Sequence, residues 1–526
     1  NQPVDVFPQG SFIGFVPLED GLNHIIIQSF LGSQSDQKIL YTYREPSSET
    51  SPHTPLTIDN HDLMPQSNIW AVNDDMITVR FKGSPGAIAQ CRLEKLNSPA
   101  PMNELPIAQT GGIAGIYQGE IKLKDLPAHR PLSIKFILRN ENGEKYSATA
   151  PGQLIILSDT TPLVGQTLQE TLLHTSADSY SPFTRCPPGI NLYITGRQKD
   201  RYKIKLSPLQ TVFVSCDDVA LLPSGTLVPR TFLSAPQLNV SRDWVQLRMS
   251  VERPVPFSLE ADDKPVKVSL TVYGAHKASH WYRLSQTDLI KEINFSHPAS
   301  NVCVCTVTLE QKHLWGYQAF YRDNVLFFRI RRTPEINPQS PFSGLVVAID
   351  PGHGGDEHGA VSPYGFKEKD INLLWGLELA EKLMENGAKV ILTRSDDSKV
   401  SLPQRITKAR QSDALFFISL HNNAVGAGVD PRHVEGTSTY FSLQQNKDLC
   451  SILFSEMQDA GFQAYGEIYN MYYVTNVPDF LVSLVEGEFM TNPNKEFMLV
   501  DKKTITAMTD AIYNGLFLFI KKRLDF

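Results

Sequence analysis

Three polar residues follow short apolar runs in the last third of the chain. His353 comes after Leu345-Val346-Val347-Ala348-Ile349-Asp350, His421 after Phe416-Phe417-Ile418-Ser419-Leu420, and Glu486 after Leu481-Val482-Ser483-Leu484-Val485. Runs of this kind read as buried strands, and open α/β sheets put their sites just past the carboxyl ends of strands. His353 lies in Gly352-His353-Gly354-Gly355, a turn whose small residues let backbone and ligand come close. Glu368, between Lys367 and Lys369, falls where a helical pattern begins. Two neutral imidazoles and one carboxylate suit Zn2+, and a fourth tetrahedral position left to water makes such a site catalytic rather than structural. A carboxylate near the metal but not bound to it, for which Glu486 is the candidate, can take a proton from that water and pass it to a leaving amine.

The elements that must position these residues alternate β and α after residue 344, the pattern of an α/β domain with a mostly parallel sheet. Residues 345–350, 389–393, 414–420, 437–441 and 481–485 read as strands. Residues 370–386 read as an amphipathic helix with Leu373, Leu377, Ala380 and Met384 on one stripe and Gly387 as its stop. Further helices are expected over residues 449–460 and 504–520.

Ahead of this domain the chain changes character. Thr333-Pro334-Glu335-Ile336-Asn337-Pro338-Gln339-Ser340-Pro341 has the proline density of a linker, assigned to residues 334–343. Before it, runs such as Ile77-Thr78-Val79-Arg80-Phe81 and Val266-Lys267-Val268-Ser269-Leu270-Thr271-Val272 alternate apolar and polar residues, as half-buried strands do. The expectation is a multi-domain chain with all-β modules leading into the α/β domain: a β-sandwich-like module over residues 1–158, an SH3-like barrel over 159–232, a β-rich targeting-like module over 233–333, and the catalytic domain over 344–526. A length of 526 residues requires several cores in any case.

Composition excludes some classes. A net charge of -7, with no basic run longer than Lys521-Lys522-Arg523, argues against nucleic-acid binding. That triplet closes the apolar segment 512–520, which is far too short to span a bilayer and reads as a helix end with its cations. The start, Asn1-Gln2-Pro3-Val4, has no initiator Met and no signal-peptide pattern, so a mature or trimmed chain is expected. Six cysteines show no CxxC spacing, and Cys186 with Cys216, both inside the 159–232 module, form the expected bridge, with buried free thiols as the equal alternative.

Four ordered blocks carry a family resemblance: Ile349-Asp350-Pro351-Gly352-His353-Gly354-Gly355, Lys367-Glu368-Lys369-Asp370, Ile418-Ser419-Leu420-His421-Asn422-Asn423-Ala424, and Leu484-Val485-Glu486-Gly487-Glu488-Phe489-Met490-Thr491-Asn492-Pro493. With lesser matches at Leu392-Thr393-Arg394 and at Ser401, Leu402 and Arg405, residues 344–526 resemble the zinc-dependent N-acetylmuramoyl-L-alanine amidases. The resemblance implies His353, Glu368 and His421 as ligands of one zinc ion and Glu486 as the catalytic carboxylate. It implies hydrolysis of the amide between the lactyl group of N-acetylmuramic acid and L-alanine in peptidoglycan, hence an extracytoplasmic place of work. Relatives tend to have Glu-X-Gly-Phe where this chain has Glu486-Gly487-Glu488-Phe489, so Glu488 stands as a rival to Glu486. His358 is a spare imidazole in the glycine-rich turn.

Asn422, Asn423 and Arg405 are polar enough to hold substrate or to support a metal ligand, or equally to serve loop polarity and a helix salt bridge. The stretch between His421 and Glu486 is used up by one strand, one helix and a loop, which predicts a site without a plugging helix. A zinc peptidase acting within stem peptides and a non-enzymatic wall-binding protein remain as alternative readings. The β modules are expected to bind wall glycan or a protein partner.

Overall fold

The computed structural model describes residues 3–45, 50–94, 99–158, 160–277, 289–426 and 428–525. Residues 1 and 2 of the expected start, and residue 159 in the expected break between the first two modules, lie outside that range. The part before residue 334 is almost wholly antiparallel β. Gly21–Leu31 and Gln34–Arg44 pair as a two-stranded ribbon. A six-stranded sheet then uses strands between Met76 and Thr149. Its strand Met76–Lys82 buries Ile77, Val79 and Phe81 and exposes the residues between, as the period-2 pattern requires.

Asn191–Gln198 pairs with Leu163–Thr167 on one side and Arg201–Lys205 on the other, and through Arg197 it also meets Trp70 of the preceding region. Two four-stranded antiparallel sheets, drawn from Gln237 to Arg331, close over a core that includes Leu247, Val268, Leu270 and Phe328. Cys186 and Cys216 are free thiols rather than a bridge. Cys186 lies buried on the strand Pro182–Cys186, while Cys216 opens a 3-10 turn after Thr211–Ser215. Burial pushes both thiols up, Cys186 the further.

The rest is α/β. Its elements are β1 (Val346–Pro351), α1 (Glu368–Glu385), β2 (Lys389–Leu392), α2 (Leu402–Gln411), β3 (Phe416–Asn423), β4 (Thr437–Phe441), α3 (Lys447–Asp459), β5 (Ala464–Tyr469), β6 (Leu481–Phe489), the single turn α4 (Glu496–Leu499) and α5 (Lys502–Leu524). The sheet order is β2-β1-β3-β6-β4-β5, with every neighbouring pair parallel except β6 and β4. α1, α3 and α5 cover one face, where Trp375, Leu379, Phe416, Ile418, Leu420 and Phe519 form the core. Ile406 and Ala409 of α2 cover the other, against Phe417, Phe480 and Val482. Burial on both faces is why β3 and β6 read as unbroken apolar runs.

The expected stripe on α1 is wrong. The buried face is Ile371, Trp375, Leu379 and Leu383 together with Ala380, whereas Leu377 and Met384 are exposed and Leu373 is half-buried. His421 and Glu486 also lie within their strands rather than beyond them, because β3 runs to Asn423 and β6 to Phe489. No helix among the described residues is long and apolar enough to cross a membrane.

Candidate metal centre

The carboxyl ends of β1, β3 and β6 lie side by side, and the polar residues that follow or end them meet there. His421 on β3 is in register with Glu486 on β6. His353 follows β1 on a turn where it adopts φ 62, a left-handed conformation that a non-glycine residue takes only when its surroundings enforce it. The enforcing contacts are visible. Arg405 donates to the His353 carbonyl at 2.7 Å, and Arg394 donates to the carbonyls of Pro351 and Gly352, each at 2.9 Å.

Glu368 is the first residue of α1, buried, with its carboxylate between the two imidazoles. His353 Nε2 is 3.1 Å from Oε2 and His421 Nδ1 is 2.9 Å from Oε1. The rings stand almost perpendicular, with centroids 4.9 Å apart. One donor atom from each of His353, Glu368 and His421 lies within 4.8 Å of the others, the spread three ligands of one ion require. Burial alone would raise the Glu368 carboxyl, but hydrogen bonds and charge from His353 and His421 hold it well below the usual carboxylate range.

Backbone amides of Ala360 (2.8 Å) and Asn422 (3.1 Å) and the Asn372 side chain (3.1 Å) also donate to Glu368, fixing the carboxylate from behind. Two glycines leave the room this needs. A Cβ on Gly352 would fall 2.2 Å from the His421 ring, and one on Gly359 would fall 2.4 Å from Glu368 Oε2. These residues fit a divalent metal by the chemistry of the donor set and by this cradle.

Glu486 faces the cluster half-buried, and its Oε2 is covered yet accepts no hydrogen bond. Burial, then the negative charge of Glu368, pushes its carboxyl well above the ordinary value. Glu488 is engaged elsewhere. It is buried and accepts from the backbone amides of Gly436 and Phe489, the latter at 2.9 Å, so it anchors the loop ahead of β4. Burial raises its carboxyl as well. The slip in register between His421 and Asn423 along β6 accommodates the extra residue that separates the two carboxylates' roles.

Arg405 does not reach open space. Its guanidinium is spent on Asp350 Oδ1 at 2.7 Å and on the carbonyls of Pro351, His353 and Val400. Asn422 turns under the site, donating to Asn372 Oδ1 at 2.9 Å, and half-buried Asn423 accepts from the Ala424 amide at 2.9 Å. His358 is exposed and outside the cluster, and its neighbour Glu357 pairs with Lys399. Between β3 and β6 the only α-helix among the described residues is α3, which packs on α5 and β4.

Sequence reading gave no role to Asp350, Asn372 or Arg394. Buried Asp350 accepts from Thr393 Oγ1 (2.6 Å) and Ser419 Oγ (2.7 Å) besides Arg405, locking β1 to its neighbours beneath the His353 turn. Its signal is a carboxylate ending an apolar strand, and that of Arg394 is a cation directly after one.

Residues 347–517 match the N-acetylmuramoyl-L-alanine amidase family. YqiI of Bacillus subtilis is 34% identical over 186 residues, which span 34% of this chain and 85% of YqiI. The probable cell wall amidase LytH of Staphylococcus epidermidis is 33% identical over 180 residues, spanning 34% of this chain and 59% of LytH. The solved structure of the N-acetylmuramoyl-L-alanine amidase AmiC2 of Nostoc punctiforme aligns at 30% identity over 34% of this chain and 99% of that one, with a TM-score of 0.33. Through its C-terminal α/β domain the chain belongs to the N-acetylmuramoyl-L-alanine amidase family.

Proposed function

We propose that the protein is a zinc-dependent peptidoglycan hydrolase that cleaves the amide between the lactyl group of N-acetylmuramic acid and L-alanine. The observation that carries the reading is the convergence of His353, Glu368 and His421 next to Glu486, whose covered Oε2 accepts no hydrogen bond. His353, Glu368 and His421 would hold the metal, which when bound would supply Lewis acidity for a water nucleophile and for the scissile carbonyl.

Glu486 takes the proton of the attacking water and hands it to the leaving amine of L-alanine, the task for which a raised carboxyl pKa is suited. Glu488 serves instead as a buried anchor, its Oε1 accepting from two backbone amides. Asn372 orients Glu368, and Arg405 with Arg394 hold the turn that presents His353. Such a substrate lies outside the cytoplasmic membrane, so the protein works there. We read residues 1–158, 159–232 and 233–333 as modules that dock it on wall glycan or on a protein partner, the second as an SH3-like barrel, from the strand pairings at Leu163–Leu221.

The test is digestion of purified sacculi. Free stem peptides that begin with L-alanine, and glycan stripped of peptide, are expected. Chelation is expected to abolish the release, and Glu486→Gln to lower it by about 100-fold or more while leaving metal content unchanged. New amino termini inside the stem, or full activity of the Glu486→Gln protein, would overturn the assignment.

A further inference from the structure

A cavity of about 490 Å3 lies where three parts of the molecule meet, away from the metal centre. Its walls come from the strand Pro182–Cys186, from the sheets that hold Phe257 and Phe320, and from the end of α2 with the segment before β6. That volume is within the range of about 300–1,000 Å3 found for small-ligand sites. Phe183, Phe257 and Phe320 give it apolar surface.

Its charges do not cancel. Arg410 binds Asp479 through Nε at 2.8 Å and Nη2 at 3.2 Å, and Glu170 through Nη1 at 2.9 Å. Arg185 also pairs with Glu170, at 3.4 Å. These two cations and two carboxylates neutralise one another. Arg322 and Arg329 also line the cavity, and among the described residues neither has a carboxylate within ion-pair distance. Arg329 is held between aromatic rings, its guanidinium carbon 4.1 Å from the Trp244 ring centre and 5.3 Å from that of Phe320, and its Nε is buried without a hydrogen-bond partner. A guanidinium packed against two aromatic rings and left without a carboxylate partner at the wall of a cavity can receive the carboxylate of a ligand.

We propose that this junction is a second ligand site, which takes a small molecule with a carboxylate on Arg329 and an apolar arm on Phe183, Phe257 and Phe320. The ligand class is a short peptide with a free carboxylate; that its source is the peptide of the cell wall rests on the function proposed above. Occupancy would bear on the metal centre through α2, which carries Arg410 at the cavity and Arg405 at the His353 carbonyl.

The test is calorimetric binding of stem peptides isolated from digested sacculi to the full chain, beside the same peptides with methyl-esterified carboxylates and beside inorganic phosphate as competitor. The free peptides are expected to bind and the esters to bind at least about tenfold more weakly. Arg329→Met, which keeps an apolar chain against the rings but removes the cation, is expected to weaken the free peptides by a similar factor with an unchanged melting temperature. Exposed Arg322→Gln is expected to weaken them less and serves if Arg329→Met does not fold. Glu486→Gln is expected to bind like the parent. Equal binding by acid and ester, displacement by equimolar phosphate, or parental affinity in both arginine variants would overturn the proposal. Peptide binding by a chain that leaves sacculi uncut would refute the amidase reading and leave this site standing, whereas sacculus cleavage without such binding would refute this site alone.

Discussion

At the residue scale the buried Asp350–Arg405 pair holds the turn that presents His353. Both side chains are almost completely buried, and the guanidinium joins the end of β1, the His353 carbonyl and the Val400 carbonyl in one unit. Removing one partner strands the other without solvent, so Arg405→Ala is expected to cost about 3–5 kcal/mol of stability in denaturant unfolding. Arg405→Lys should recover little of it, since an ammonium cannot serve four acceptors in a planar fork. The pair also sets a pH dependence. Burial opposes ionisation of Asp350, but the Arg405 charge and the hydrogen bonds from Thr393, Arg405 and Ser419 outweigh it and leave the carboxyl below its ordinary value. A depressed carboxyl stabilises the fold fully above the unfolded value of about 3.9 and loses that contribution as pH falls through the folded one. Asp350→Asn should therefore be less stable than the parent near neutral pH, with the gap closing only below about pH 3.9. A gap that stayed constant into acid would mean that the pair contributes nothing through charge.

At the scale of elements, the candidate site was legible because strands β1, β3 and β6 announce themselves as apolar runs with His353, His421 and Glu486 at their ends, and because Glu368 falls where the helical pattern of α1 begins. Their lengths were not legible. Asn422, Asn423 and the stretch Glu486-Gly487-Glu488 look like loop, yet the parallel ladder carries them on past the last apolar residue. α2 escaped notice because its buried face is Arg405, Ile406 and Ala409, so a cation stands where a periodic apolar residue would signal a helix. α1 shows the opposite difficulty, an excess of signal. Leucines lie on both sides of it, and the stripe through Leu373, Leu377 and Met384 competes with the one that packs, through Ile371, Trp375, Leu379 and Leu383. Substitution separates the two. Trp375→Ala, at a fully buried site, is expected to cost about 3–5 kcal/mol, whereas Leu377→Ala, 38% exposed, should stay within about 0.5 kcal/mol of the parent. Equal losses at both positions would contradict the observed packing of α1.

At the scale of the whole molecule, the proline-rich segment near residue 340 marks a change of architecture but not the edge of a core. Trp315, which precedes that segment by almost twenty residues, is fully buried in the α/β core with its ring centroid 6.2 Å from that of Phe519. Its neighbours are tied in as well. The Leu314 carbonyl accepts from Arg523 at 2.7 Å, and the Tyr317 amide donates to the Pro478 carbonyl at 2.8 Å. Arg523 belongs to a basic triplet that reads as a helix-end cation cluster, yet it is buried here, with the carbonyls of Leu314 from the β part and of Gln445 as its acceptors. From the other side, Arg331 reaches Asp413 at 2.8 Å, just ahead of β3. The two parts thus share side chains beneath the elements that carry His353, Glu368 and His421, and the proline-rich segment cannot act as a free tether between them. Trp315→Ala in the full chain should therefore destabilise the α/β half by about 3–5 kcal/mol, although the substituted residue lies outside the family match. Residues 334–526 produced alone lack the Trp315 side chain altogether and should unfold at a lower denaturant concentration than the same region within the full chain. If that fragment proved as stable as the parent, with Trp315→Ala neutral, the β half would be a passenger; the burial of Trp315 against Phe519 argues that it completes the core on which the site is built.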